Sequence, residues 1–375
     1  MVQTQPGFEG VAWSEIASRY AATTAGEAVS GRPSASEFTR GQAVRELARR
    51  SVPDRAGISI FTVPRPDPLR LVRTAEDVFA LVGYRRAPAG AGAFDLERAR
   101  AAAREAPYVE DALAALVRMV PGRRAGRRLH FRVVARMAGE QSFRRVDLQR
   151  AVERGVIERG DHTWRLVDDN ADVEIWATLL PGEILIALRL SDEGMRHRDY
   201  KVAHLPGSLR PAVAAALGWL SEPDADDVVL DPLCGAGTVL IERAQLGRYK
   251  LLIGSDRDDS ALAAAQTNIG PRYKPIELRP WDAAALPLHD GNVNKVITNL
   301  PWGMRHGSHE ENRRAYPRIV AELKRVVRPG GLIVMLTGET RLMGDVLRRS
   351  ELRPEKILHV GILGARAAVF VCRPG

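Results

Sequence analysis

The chain has 375 residues, of which 45% are hydrophobic and 27% charged, and it carries a formal net charge of +9. That length exceeds one ordinary core, so two or three domains are expected, and no apolar run approaches the roughly 18 residues of a membrane helix. Two cysteines, Cys234 and Cys372, exclude a disulfide framework and a cysteine-rich zinc site and suit a reducing compartment.

In chain order, the N-terminal MVQTQPGFEG has neither a basic n-region nor an apolar h-region. No signal peptide is therefore expected, and the protein should be cytoplasmic, without membrane attachment. Helices are expected at Val11 to Ala22 and Thr39 to Arg49, with short apolar runs at Ile58 to Phe61 and Leu69 to Val72. The APAGAGA stretch, Ala87 to Ala93, reads as a turn-rich break. Beyond it the pattern gives a helix at Val109 to Val120, a strand at Leu129 to Met137 and a helix at Arg145 to Gly155. Two further strands, Asp172 to Leu180 and Glu183 to Leu190, flank a turn at Pro181-Gly182.

The basic pI of about 9.9 suggests a polyanionic partner, although arginine-rich coding bias yields the same number. Distribution says more. Between Arg118 and Arg165 lie 13 Arg against 5 Asp or Glu, among Phe131, Phe143, His130, His162 and Trp164. Basic residues interleaved with aromatics suit a surface that tracks phosphates and stacks bases, so RNA binding is expected over a merely solvated face. Arg123, Arg124, Arg127, Arg128, Arg144 and Arg145 are the candidate contacts.

A polar connector, Ser191 to Pro211, leads to a helix at Pro211 to Leu220. From Asp227 strands and helices alternate. Strands are expected at Val228–Leu230, Leu251–Gly254, Ile276–Leu278, Lys295–Thr298, Gly331–Leu336, Ile357–Val360 and Ala367–Val371. The intervening helices are Thr238–Gln245, Asp259–Gly270, Arg313–Val327 and Glu339–Arg349. This alternation predicts an α/β, mostly parallel, doubly wound sheet.

The first strand runs into DPLCGAGT, Asp231 to Thr238. Gly235 and Gly237 would let a ligand approach the backbone, and a helix starting at Thr238 would aim its amides there. Such a turn fits a dinucleotide, S-adenosylmethionine or no ligand at all; the third glycine of the dinucleotide pattern is Leu240 here, which counts against NAD. Asp256, at the tip of the second strand, is placed to accept from ribose hydroxyls, while Asp258 could cap the next helix. Asp282 follows the third strand, where it and the Ala283 backbone could meet an adenine ring; an ordinary cap is the alternative. Asn299-Leu300-Pro301-Trp302 follows the fourth. Four acidic or amide groups at successive carboxyl ends favour a site over a turn. Asn299 and the Leu300 carbonyl could accept from an exocyclic amine, Pro301 would stiffen the loop, and Trp302 would offer a stacking face to an extruded base.

These motifs, DPLCGAGT, GSDRD, WDAAALPL and NLPWGMRHG, resemble those of class I S-adenosylmethionine-dependent methyltransferases acting on exocyclic amines. HRDYKVAHLPGSLRPAVAAALGWL resembles the connector of RNA methyltransferases carrying a THUMP domain, and TQPGFEGVAWSEI the start of their ferredoxin-like domain. The resemblance runs over almost the whole chain. Asn-Leu-Pro-Trp-Gly followed by Met-Arg is most similar to the tRNA guanine-N2 methyltransferases of the position-6 type. It departs from the commoner Asn-Pro-Pro-Tyr form at Leu300 and Trp302.

The resemblance implies a ferredoxin-like domain over 1–100, a THUMP domain over 101–190, a linker over 191–210 and a Rossmann-like methyltransferase domain over 211–375. It implies N2-methylguanosine in tRNA as product, with the same reaction elsewhere in tRNA or on ribosomal RNA as the nearest alternatives. An oxidoreductase and a catalytically silent RNA-binding protein are the other classes considered. Asn299, Leu300, Pro301 and Trp302 would be catalytic. Asp231, Pro232, Cys234, Gly235, Gly237, Thr238, Asp256, Arg257, Asp282, Ala283 and Asn299 would hold S-adenosylmethionine. Arg305 would meet RNA. A monomer needing no metal is expected.

Overall fold

The computed structural model describes residues 1–29, 44–52, 55–87, 93–123, 126–303 and 308–375. These form two sheets. The N-terminal sheet contains β1 (Val2–Thr4), β2 (Arg45–Val52), β3 (Ala56–Thr62), β4 (Asp77–Ala87), β5 (Arg128–Met137), β6 (Thr163–Leu166), β7 (Val173–Leu180) and β8 (Gly182–Arg189), ordered β2-β3-β1-β4-β8-β7-β5-β6. Helices α1 (Glu9–Val29), α2 (Ala93–Arg104), α3 (Val109–Met119) and α4 (Arg145–Ile157) accompany it. β4 pairs with β1 on one side and β8 on the other, so the ladder runs unbroken across residue 100.

The second sheet is α/β. Strands β9 (Val228–Asp231), β10 (Leu251–Ser255), β11 (Ile276–Arg279), β12 (Val293–Asn299), β13 (Val327–Thr337), β14 (Pro354–Ile362) and β15 (Ala365–Cys372) are ordered β11-β10-β9-β12-β13-β15-β14. The first five pair in parallel, while β15 runs antiparallel to both of its neighbours. Helices α5 (Pro211–Leu220), α6 (Thr238–Gln245), α7 (Asp259–Ile269), α8 (His309–Val326) and α9 (Thr340–Arg349) cover it. α5 is apolar on every side and buried from Pro211 to Gly218, as an all-round Ala/Leu pattern requires.

Most expected elements appear within a few residues of their expected bounds. Thr39 to Arg49 is the exception: its described part is not helical but enters β2. Glu46, Leu47 and Ala48 are good helix formers, but local propensity is a weak signal, and pairing with β3 along Arg45↔Thr62 to Val52↔Ala56 overrides it. β2 is the outer strand, and its exposed arginines suit an edge. The Ala87–Ala93 break lies largely outside the described residues.

A buried charge cluster joins the two halves. Glu242 of α6, fully buried, accepts from Arg73 Nε (2.7 Å), Arg73 Nη2 (2.9 Å) and the Tyr200 hydroxyl (2.7 Å), with Arg198 3.6 Å away. Arg210 pairs with Glu76 at 2.8 Å, and the paired Glu15 carboxylate receives the backbone amides of Arg73 and Thr74. Phe8 and Val11 enter the core of the second sheet beside Leu217 and Val360. Gly7, at φ +92°, permits this, since a Cβ there would lie 2.3 Å from the His359 carbonyl oxygen.

Removing one partner from such a cluster strands buried charge. Glu242→Ala is expected to lower unfolding free energy by about 3–5 kcal/mol in urea titrations, and Glu242→Gln by less. Equal stability of the alanine variant would show that the cluster does not join the halves.

Candidate active site

The carboxyl edge of the second sheet collects the expected residues. Asp231 ends β9 opposite Gly254 of β10, and Asp256 follows β10 directly. Asp282 follows β11, and Asn299 ends β12 opposite Leu336 of β13. The four groups thus stand along one rim, each carried there by a parallel strand; β9, β10 and β12 have buried interiors, and β11 at the sheet edge is half-buried.

The glycine turn crosses the centre of this rim. Gly235 and Gly237 adopt φ +49° and +76°, and Gly237 caps α6. A Cβ on Gly235 would meet no atom within 4 Å, so its need for glycine is the backbone conformation and the space above it is open. Asp256 braces the turn, accepting from the Gly235 amide at 3.0 Å and, through its other oxygen, from the Asp258 amide at 3.1 Å. Leu240 packs on Gly254, where a Cβ would approach Leu240 Cδ1 to 2.5 Å. The close helix–strand approach that a third glycine would give on the helix is therefore obtained from a glycine on the strand.

Asp231 is buried and accepts from the Leu233 amide at 3.2 Å. Burial pushes its carboxyl up to about 7, so a cation arriving there would draw out its proton. Pro232, Cys234 and Thr238 are buried, and burial raises the Cys234 thiol, which makes it a packing group rather than a nucleophile. Arg257 is exposed. Asp282 accepts from the Ala284 amide at 2.9 Å, closing a tight turn that buries Ala283; it caps no helix, whereas Asp258 does cap α7.

The loop after β12 is held on several sides. Leu300 is fully buried, and its amide donates to the Leu336 carbonyl at 2.9 Å. The Pro301 carbonyl accepts from Asn312 Nδ2 at 3.1 Å and from the Tyr316 hydroxyl, which also meets Thr337 Oγ1 at 2.7 Å. Trp302 lies against Gly338, where a Cβ would come within 2.9 Å of the ring. Its indole N–H donates to Asn299 Oδ1 at 3.1 Å. Gly303, at φ +68°, sits where a Cβ would meet Glu339 Oε1, and His309 Nδ1 pairs with that carboxylate at 2.9 Å. Asn312, Tyr316, Gly338 and Glu339 were not anticipated from sequence. Only Gly338, just past an apolar strand, carried a local signal.

The basic segment departs from its expected form. Phe131 and Trp164 are buried and meet edge to face at 5.6 Å, so neither is a stacking surface. Alternation in β5 and β6 turns Phe131 and Trp164 into the core, beneath α4. His130 and His162 face Asp172 and Glu110. Arg123 donates to the Ala171 and Asp172 carbonyls at 2.9 and 3.2 Å, and Arg144 stands 3.5 Å from Asp147. Arg127, Arg128 and Arg145 are exposed. Arg124 and Arg305 lie outside the described residues. Among the described residues no cluster of His, Cys, Asp or Glu could hold a metal ion, and no helix is long and apolar enough to cross a membrane.

Residues 198–368 match the family described as RMKL-like, methyltransferase domain. The tRNA (guanine(6)-N(2))-methyltransferase THUMP3 of Mus musculus is 31% identical over 232 residues, covering 56% of this chain and 45% of its own length. The tRNA (guanine(6)-N2)-methyltransferase of Thermus thermophilus is 28% identical over 249 residues, covering 64% of this chain and 71% of its own length. The chain spans about half the length of the mammalian relatives of the first name, 45% to 51%. Among solved structures, TrmN from Thermus thermophilus aligns with a TM-score of 0.72 at 21% identity, covering 100% of this chain and 98% of its own. That likeness is one of fold.

Two measurements test this geometry. Asp231 has a raised carboxyl in the folded state, so its stabilising contribution is full below about pH 4, its ordinary range, and is lost as pH rises through about 7. Asp231→Asn should flatten the stability profile across that interval; an unchanged slope in denaturant titrations would contradict the assignment. Tyr316→Phe removes one of two donors to the Pro301 carbonyl, leaving Asn312, and should cost about 0.5–1.5 kcal/mol of stability, read from urea unfolding.

Proposed function

Because residues 198–368 match the family described as RMKL-like, methyltransferase domain, we propose that the chain transfers a methyl group from S-adenosylmethionine to the N2 amine of guanosine 6 in tRNA. The observation that carries this reading is the Asn299–Trp302 loop, held at the end of β12 on the same rim as Asp231, Asp256 and Asp282. The names of the two tRNA (guanine(6)-N2)-methyltransferase relatives support the substrate.

The rim fits the cofactor. The open backbone at Gly235 admits a ligand against the start of α6, and the raised Asp231 carboxyl favours a partner bearing an ammonium. Asp256 would take the ribose hydroxyls, and Asp282 with Ala283 the adenine. When bound, S-adenosylmethionine supplies an electrophilic methyl group. The remaining work belongs to the loop. Asn299 Oδ1 and the Leu300 carbonyl accept hydrogen bonds from the amine, which turns its lone pair out of ring conjugation and stabilises the positive charge that develops on nitrogen. The Trp302 N–H fixes which end of the Asn299 amide faces the site. With Leu300 and Pro301 both anchored, the Leu300 carbonyl is pre-aimed, and alignment accounts for much of the rate. Trp302 offers its uncovered face to the extruded base. The methylated amine releases its proton to water.

Residues 1–100 are assigned to a ferredoxin-like unit and 101–190 to a THUMP unit that together grip tRNA, with Arg127, Arg128 and Arg145 as its exposed cations. The chain would act in the cytoplasm as a monomer, without a metal.

Asn299→Ala should leave S-adenosylhomocysteine binding near normal in calorimetry and lower methyl transfer by about 10²- to 10³-fold. Undiminished turnover would mean the loop is structural. Affinity for S-adenosylhomocysteine should rise with pH through about 7 and lose that dependence in Asp231→Asn. Binding of NAD in place of S-adenosylhomocysteine would remove the whole reading.

A further inference from the structure

A groove of about 630 Å³ lies between α8 and α9, and its wall includes Gly338, the residue on which the Trp302 ring rests. It therefore opens directly beside the loop assigned to the target base. Its charged lining is Arg313, Arg341 and Arg349, with His309, Glu339 and Asp345. The two carboxylates are already engaged, Glu339 by His309 at 2.9 Å and Asp345 by Arg348. Arg313 stands 3.6 Å from Glu310, and both are largely exposed, which makes that pair weak. Arg341 and Arg349 are exposed and meet no carboxylate among the described residues.

The arrangement is regular for a reason of sequence. Arg341, Asp345 and Arg349 recur every four residues on α9, so they share one face, and the two arginines stand roughly 12 Å apart along the axis. Arg313 and Pro317 form the facing row on α8. The groove thus offers three guanidinium groups and no uncommitted carboxylate. A cationic ligand finds little there, whereas a run of phosphates finds successive partners, with Pro317, Leu342 and Val346 as the apolar part of the lining.

Resting on the reading that the chain methylates an RNA guanosine, we propose that this groove binds the phosphodiesters flanking the target nucleotide. A base leaves its stack by rotating about its own backbone, so the two adjoining phosphates are the points that must be held while it turns. Arg341 and Arg349 would hold that backbone on the methyltransferase side, independently of the N-terminal sheet. They are positioning residues, because they reach the reaction only through the strand they fix.

The test uses the full chain and an unmodified tRNA substrate, with binding followed across a salt series and transfer followed at saturating S-adenosylmethionine. The double variant Arg341→Ala/Arg349→Ala should bind tRNA about 10-fold more weakly and reduce the salt slope by about 2. Its affinity for S-adenosylhomocysteine and its thermal unfolding should match the parent. Arg318→Ala, an exposed cation of α8 that does not line the groove, should change neither tRNA affinity nor slope. If the double variant keeps the parental slope, or Arg318→Ala loses as much, the groove is only a solvated face. A parent chain that binds S-adenosylhomocysteine but neither binds nor methylates RNA would overturn the proposed function itself, and this inference with it.

Discussion

The rim of the second sheet is tied to the N-terminal half most deeply through Glu242. It sits on α6, the helix that the glycine turn introduces, and its carboxylate is satisfied from outside the second sheet by Arg73, Tyr200 and Arg198. A buried carboxylate has no alternative solvation, so any sliding of one half over the other would leave it unpaired in a dry interface. The relative placement of the halves is then fixed by chemistry rather than by area.

The loop after β12 shows a second kind of constraint. Trp302 has two commitments, a face on Gly338 and an N–H on Asn299. A tyrosine or phenylalanine would supply a face without that N–H. On the proposed function, the indole would couple base stacking to the orientation of the amide that polarises the amine. A large aromatic that looks excessive for a turn is explained by that double duty.

The second sheet was legible because its central strands are largely buried and its helices are capped by ordinary chemistry. Gly237, Asp258 and Ser308 mark helix starts where they are needed, and Asp231, Asp256, Asp282 and Asn299 fall at strand ends by simple counting. The N-terminal half was harder. β2 has helical composition and is a strand only because β3 accepts it. Phe131 and Trp164 sit near arginines in sequence, yet strand alternation turns them inward. Asn312 and Tyr316 were unreadable, since what matters about them is a carbonyl eleven and fifteen residues away. Local pattern encodes which face a residue takes, but it does not encode which distant backbone atom awaits it.

One contact at the far side of the molecule bears on how the chain must be made. β14 is the outer strand of the second sheet, and its exposed edge is met by the first residues of the chain: the Gly361 amide donates to the Pro6 carbonyl at 2.9 Å and the Leu363 amide to Gln5 Oε1 at 3.2 Å. Phe8 fills the adjoining socket by Val360 and Ile362. Expressed without its N-terminal half, the second sheet would present a free strand edge beside an empty apolar cleft, the combination that invites edge-to-edge association. The second half is therefore not a detachable module, because residues 5–8 of the first cover its outer edge.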